Sequence, residues 1–177
     1  MGRREPRILA LDPGTRYLGV AVLDGHGLAY YTVKDLRDRR PARECLRATR
    51  AVLGWLIEHY APEVLAYERS FYVQSRESQL LQAQEREIRR VARAHGLRAI
   101  GYNPMTVRKR LCGDGWARKR EVAERLARRY PDLACYLAPR GSRRERYWYH
   151  LFDAVAVGVV CLGGLAQPSP GRMHLAA

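Results

Sequence analysis

Between residues 7 and 33 three short apolar runs follow one another with only turns between them, which confines this part of the chain to an antiparallel meander. Residues 7–11 form a compact apolar run that ends at a carboxylate, Asp12, and the pair Pro13-Gly14, the pattern of a buried strand entering a turn. Residues 17–23 supply a second strand, Asp24-Gly25 signals a hairpin, and residues 28–33 supply a third. Beyond Pro41 the period lengthens. Leu46, Leu53, Leu56, Ile57 and Tyr60 recur at helical spacing until Pro62 closes the helix. Residues 63–67 then form a fourth strand that delivers Glu68 at its far end. Residues 74–95 predict a long charged helix with Leu81, Ile88, Val91 and Ala92 on one face, stopped by Gly96. A fifth strand over 97–102 follows, then an amphipathic helix over 118–130 that Pro131 ends. Residues 139–146, rich in Gly, Ser and Arg, are expected to be a mobile loop, and the last helix, about 147–162, is apolar on nearly every side and must be buried. The element order predicts a mixed five-stranded sheet with helices on both faces, one domain over residues 1–166. The tail 167–177, with Pro168, Pro170 and Gly171, is expected to be disordered.

A core of that size is within reach of 177 residues that are 47% hydrophobic. The charge is far from balanced: 32 Lys and Arg against 18 Asp and Glu give a formal net charge of +14, so a polyanion is the natural partner. Cys45, Cys112, Cys135 and Cys161 stand far apart with no CxxC pair, which argues against a zinc knuckle or a disulfide framework and predicts a reduced, cytoplasmic setting. No secretory signal is visible. The longest apolar stretch, residues 151–166, contains Asp153 and three glycines and falls short of the roughly 20 residues of a membrane span, so no membrane partner is expected.

Three carboxylates occupy positions that strands or a buried helix ordinarily avoid: Asp12 after LAL, Glu68 after VLAY, and Asp153 inside LFDAVAV. An Asp before Pro-Gly is commonly a turn residue, and Glu68 alone reads as a solvated strand end. Asp153 is harder to set aside, because a carboxylate in an apolar helix is costly without a cation or donor beside it. A buried Arg partner is its ordinary alternative explanation. His150, three residues earlier, shares a helical face with Asp153. Two strand-end acids and a helical His/Asp pair make an oxygen-rich donor set suited to Mg²⁺ or Mn²⁺. Two such ions, roughly 3.5 to 4 Å apart, suit phosphodiester hydrolysis. No GxxxxGK[ST] loop is present.

The segments ILALDPGTRYLGVAV, LAYERSFY, NPMTVRKRLCGDGWARKREV and HLFDAVAVGVV together resemble the RuvC-type Holliday junction resolvases over about residues 8–162. The DPGT strand alone also occurs in sugar-kinase and actin-like ATPases, which need two lobes. The resemblance implies a ribonuclease H-like fold, which the element order also matches. It further implies a homodimer acting on branched DNA, and catalytic, metal-binding acids at Asp12, Glu68 and Asp153. His150 falls where many relatives carry Asp and some His. Arg108 and Lys119 fall on basic positions near the active site, and Phe71 on an aromatic that packs against junction bases, although core packing explains Phe71 equally well. The helix from Gln74 lies where relatives dimerise, but its sequence is more charged than an apolar seam.

From Thr106 to Trp148 there are 13 Lys or Arg against 5 Asp or Glu, so this segment contributes +8 of the +14. Its clusters, Arg108, Lys109 and Arg110, then Arg118, Lys119 and Arg120, then Arg143 and Arg144, are the expected DNA contacts, with Trp116, Tyr147 and Trp148 interleaved. A solvated helix face is the competing account for part of them. The expected function is therefore a divalent-metal-dependent endonuclease that resolves four-way DNA junctions. A broader branched-DNA or flap nuclease, or a non-catalytic nucleic-acid-binding protein of the same fold, are the alternatives.

Overall fold

The computed structural model describes residues 4–38, 42–70 and 76–166, with the side chains of residues 76, 77 and 166 excepted. Strands β1 (Arg7–Pro13), β2 (Tyr17–Asp24) and β3 (Gly27–Asp35) form the meander. Helix α1 (Ala42–Tyr60) crosses to β4 (Val64–Glu68), and α2 (Arg76–Ala94) crosses to β5 (Arg98–Tyr102). The strand order is β3-β2-β1-β4-β5, antiparallel within the meander and parallel from β1 through β4 to β5. Central β1 thus carries an antiparallel neighbour on one side and a parallel one on the other, and the sheet is mixed.

Alternation along the strands divides the core in two. Leu9, Leu11, Leu18, Val20, Val22, Leu65 and Tyr67 face α1 and α2, where Leu53, Leu56, Ile88, Val91 and Ala92 cover them. Leu80, rather than Leu81, completes that contact from α2. Ile8, Ala10, Ala21, Leu23, Val64 and Ala66 face the other way, toward α5 (Arg143–Ala166), with α3 (Pro104–Cys112) and α4 (Lys119–Arg129) packed beside it. Helices cover both faces, as the element order requires. By length and composition α5 is apolar enough to cross a membrane. Here residues 151–162 are all buried against the sheet.

Three features depart from the sequence expectation. Residues 104–112 form a helix, α3, with Asn103 as N-cap accepting from the Met105 N–H at 2.8 Å, Pro104 in the first turn and Gly113 closing the end at φ 84°. These are standard start and stop signals compressed into nine residues, where amphipathic periodicity is weak. A 3-10 helix, Pro131–Tyr136, follows α4. Helix α5 begins at Arg143, not Tyr147, so the expected loop over 139–146 shortens to its first residues. Ser142 and Glu145 explain this: the Glu145 N–H donates to the Ser142 hydroxyl at 3.0 Å, and Glu145 accepts from the Gly141 N–H at 2.6 Å. The tail 167–177 lies outside the described residues.

Candidate metal centre

Because Asp12 follows Ala10 and Glu68 follows Ala66 by two residues, both carboxylates share the sheet face that α5 covers. They project from the adjacent carboxyl ends of parallel strands β1 and β4. Asp153 reaches the same point from α5. One oxygen from each of Asp12, Glu68 and Asp153 lies within 4.8 Å of the others, and Asp12 and Asp153 are buried. Three stretches of chain separated by more than 50 residues are thereby focused on one small volume.

The approach of α5 depends on a missing side chain. Gly19 pairs with Asp12 across β1 and β2, and a Cβ on Gly19 would stand 1.9 Å from the His150 carbonyl oxygen. His150 therefore sits directly over the strand end, its Nδ1 2.6 Å from Asp12 Oδ2. Since the carboxylate accepts, Nδ1–H donates, and Nε2 is the other ring nitrogen available for a proton or a cation. Tyr17 packs against the imidazole at 5.5 Å between centroids.

Lys119, the first residue of α4, forms an ion pair with Asp153. The partner of this buried acid is thus a lysine and not the arginine that the sequence suggested, and it stands inside the acidic cluster. Its charge is not enough to neutralise the site. Burial, followed by the charges of Asp153 and Asp12, holds the Glu68 carboxyl well above the usual carboxylate range, against the opposing pull of Lys119 and Arg108. Burial also raises Asp153, with Lys119 pulling the other way. Burial opposes the Lys119 ammonium, but the attraction of Asp153, Asp12 and Glu68 outweighs it and keeps the amine above its ordinary value. Opposed buried carboxylates with raised affinity for positive charge are the donor set that a hard divalent cation satisfies, so the residues fit a metal.

Two α2 residues that the sequence reading overlooked hold the strand ends in place. The Gln84 amide donates to the Gly14 carbonyl at 3.2 Å, just beyond Asp12. Glu85 accepts from the Ser70 N–H at 2.6 Å, just beyond Glu68. Both are buried, as are Ser78 and Glu87 on the same helix, and a run of polar residues in a charged helix gives no local sign of that burial.

The basic candidates separate. Arg108 lies near enough for its charge to act on Glu68. Lys109, in the last turn of α3, and Arg118, at the start of α4, are exposed. Arg110 lines a cavity of about 500 Å³ with Arg125 and Arg129, next to Gly163 and Gly164 at the far end of α5 from His150. Arg120 bonds Glu124 on its own helix at 2.7 Å and braces α4 to the Ala138 carbonyl at 2.7 Å and to Glu145 of α5 at 3.1 Å. Arg143 and Arg144 are exposed in the first turn of α5, where the helix dipole disfavours positive charge. Phe71 lies outside the described residues.

A five-stranded mixed sheet in this order, flanked by helices on both faces and carrying acids at two strand ends and on a buried helix, defines a nuclease of the ribonuclease H-like fold. Comparison with known families matches residues 8–135 to crossover junction endodeoxyribonuclease RuvC, and the chain belongs to that family. The protein of that name from Akkermansia muciniphila is 36% identical over 123 residues, 66% of this chain and 73% of its own. That from Thermomicrobium roseum is 34% identical over 136 residues, 72% and 82% of the two chains. Among solved structures, Thermus thermophilus RuvC superposes with a TM-score of 0.70 at 26% identity, over 90% of this chain and 95% of that one. A T. thermophilus RuvC in complex with Holliday junction substrate, at 22% identity and a TM-score of 0.69, has the same fold. Enzymes of this family are divalent-metal-dependent phosphodiester hydrolases, and this chain is a crossover junction endodeoxyribonuclease. The family match ends before His150 and Asp153, whose place in the centre rests on geometry.

Proposed function

We propose that Asp12, Glu68 and Asp153 hold Mg²⁺ or Mn²⁺, two ions per site, and that the chain acts as a homodimer that resolves four-way DNA junctions by paired cuts. The convergence of three carboxylates within 4.8 Å beside Lys119 carries this reading. When bound, the ions would supply Lewis acidity toward the scissile phosphate and an acidified water. The rest of the work belongs to the chain. His150, with Nδ1 donating to Asp12, presents Nε2 as a further ligand or as the acceptor of a proton from the attacking water. Lys119 offers a fixed positive charge for the phosphate. Gln84 and Glu85 keep the two strand ends in register, so the carboxylates need little rearrangement. Arg108, Lys109, Arg118, Arg143 and Arg144 extend the contact along the DNA backbone.

Paired cutting follows from symmetry: two identical centres related by a two-fold axis match a two-fold-related substrate. Sedimentation velocity tests the dimer, and a monomer at concentrations that support cleavage sinks it. The cytoplasm suits the four cysteines, which are free thiols.

Incubation of a labelled four-way junction with Mg²⁺ or Mn²⁺, beside duplex and flap DNA, tests the activity. Cutting of the junction in preference to the other two is expected, and Asp12→Asn is expected to abolish cutting while preserving binding. Equal cutting of all three points to a broader branched-DNA or flap nuclease. Binding without cutting under either metal leaves a nucleic-acid-binding protein of this fold.

A further inference from the structure

Three tryptophans have three different surroundings. Trp148 is wedged between Tyr136 and Tyr147, at 4.5 and 4.7 Å between ring centroids, and packs against the core. Trp55 stacks on His59 at 5.1 Å with the rings 8° from parallel, on α1, the helix that covers the sheet face opposite the metal centre. Trp116 is 79% exposed and, among the described residues, touches no other ring. An indole is the largest apolar side chain; Trp148 is half-buried and Trp55, though 48% exposed, keeps a stacked ring on one face, whereas Trp116 leaves its faces in water.

The segment that carries Trp116 is tightly built. Gly113 turns out of α3 at φ 84° and donates to the Lys109 carbonyl at 2.9 Å. Asp114 accepts from the Trp116 N–H at 2.9 Å, and its carbonyl accepts from the Ala117 N–H at 3.3 Å. A Cβ on Gly115 would stand 3.2 Å from the Met105 carbonyl, so this turn lies directly on α3. Ala117, the next residue, is buried and anchors the end of the turn. Three residues beyond Trp116 comes Lys119, paired with Asp153 in the metal centre.

We propose that Trp116 is a stacking platform for a DNA base exposed at the branch point, and thereby a determinant of substrate structure. This rests on the junction-cleaving reading above. Three residues of chain span at most about 10 Å, roughly three base steps along a strand, so the platform stands close to the phosphate that Lys119 engages. In an intact duplex both faces of each base are covered by neighbours. A branch point leaves faces bare, and an aromatic ring gains most from a base that is already unstacked. Every base has such a face, so the contact selects structure and not sequence. Arg118, two residues after Trp116, and Lys109, in the last turn of α3, are both exposed and supply the positive charge that holds the strand against it. The hydrogen-bonded turn holds the indole before DNA arrives, which limits the entropy lost on stacking.

The test compares wild type, Trp116→Ala and Trp116→Phe for binding to a four-way junction and to duplex DNA, without divalent metal and over a range of salt. Trp116→Ala is expected to weaken junction binding by about 5- to 100-fold. Duplex binding and the salt slope should stay unchanged, because no charge is lost, and Trp116→Phe should restore most of the affinity. In cleavage, a fluorescent base analogue within three nucleotides of the cut should be quenched by wild type and not by Trp116→Ala. Unchanged junction affinity in Trp116→Ala, or an equal loss on duplex, overturns the inference alone. A wild type with no preference for the junction overturns the junction reading and the inference with it.

Discussion

Around Asp12 each charge is set by the others. His150 donates to Asp12, Lys119 pairs with Asp153, and burial together with the charges of Asp153 and Asp12 makes Glu68 hold its proton more firmly than a free carboxyl does. The consequence for stability has a definite sign. Glu68 and Asp153 bind protons more tightly folded than unfolded, so their contribution is fully present below the ordinary carboxylate values of 4.5 and 3.8. That contribution is lost as pH rises through the higher folded values. Without divalent metal, the melting temperature of wild type should therefore fall, relative to Glu68→Gln, as pH increases from about 5 to about 9. Saturating Mg²⁺ or Mn²⁺ should reverse the loss in wild type by about 3 kcal/mol at 100 times the dissociation constant, and less in the variant. Parallel pH profiles for the two proteins would show that the cluster carries no such strain. At this scale the sequence displayed the participants, because a carboxylate in an apolar run is conspicuous. It did not display Lys119 as the partner of Asp153, since 34 residues separate them.

Among the elements, α5 decides whether the site forms. It lies on β2 so closely at Gly19, and again where a Cβ on Gly158 would meet Leu23 Cδ1 at 2.3 Å, that the helix and sheet backbones fix the height of His150 and Asp153 above the strand ends. Gly19→Ala should cost about 2 to 4 kcal/mol in urea unfolding, because the clash is with a helix backbone that cannot move alone. It should slow cleavage as well. Gly163→Ala, in the same helix with nothing within 4 Å of the new methyl, should instead stabilise by up to about 1 kcal/mol. Comparable losses in both would assign the effect to helix chemistry and not to the approach of α5. The strands and long helices were legible because their apolar periods extend over many residues. Helix α3 and the first turn of α5 were not, because their capping groups, Asn103 and Ser142 with Glu145, lie in polar stretches that also read as loop.

For the molecule as a whole, charge governs encounter and shape governs discrimination. A net charge of +14 with eight units in one segment predicts that junction binding weakens steeply with salt. If about 6 to 10 phosphates are engaged, affinity should drop by about 10³ to 10⁵ between 50 and 200 mM salt. Lys119→Ala should lower cleavage and reduce the slope by about one phosphate contact. An unchanged slope and rate would return Lys119 to a purely structural pairing with Asp153. The basic count alone did not distinguish Arg120, which braces α4 to α5, from Arg108, whose charge reaches Glu68.

The sequence by itself determined the strand and helix order, the mixed sheet, the basic character and the identity of the acids, because these follow from local periodicity and from the cost of burying charge. Only the tertiary structure decided that Asp12, Glu68 and Asp153 meet within 4.8 Å and that His150 donates to Asp12. It alone seated Lys119 among them and left Trp116 the most exposed of the three tryptophans, three residues along the chain from Lys119. Those facts depend on which strands become neighbours and how near α5 can come to the sheet. Pairing and close approach are properties of distant segments in contact, which no local pattern encodes.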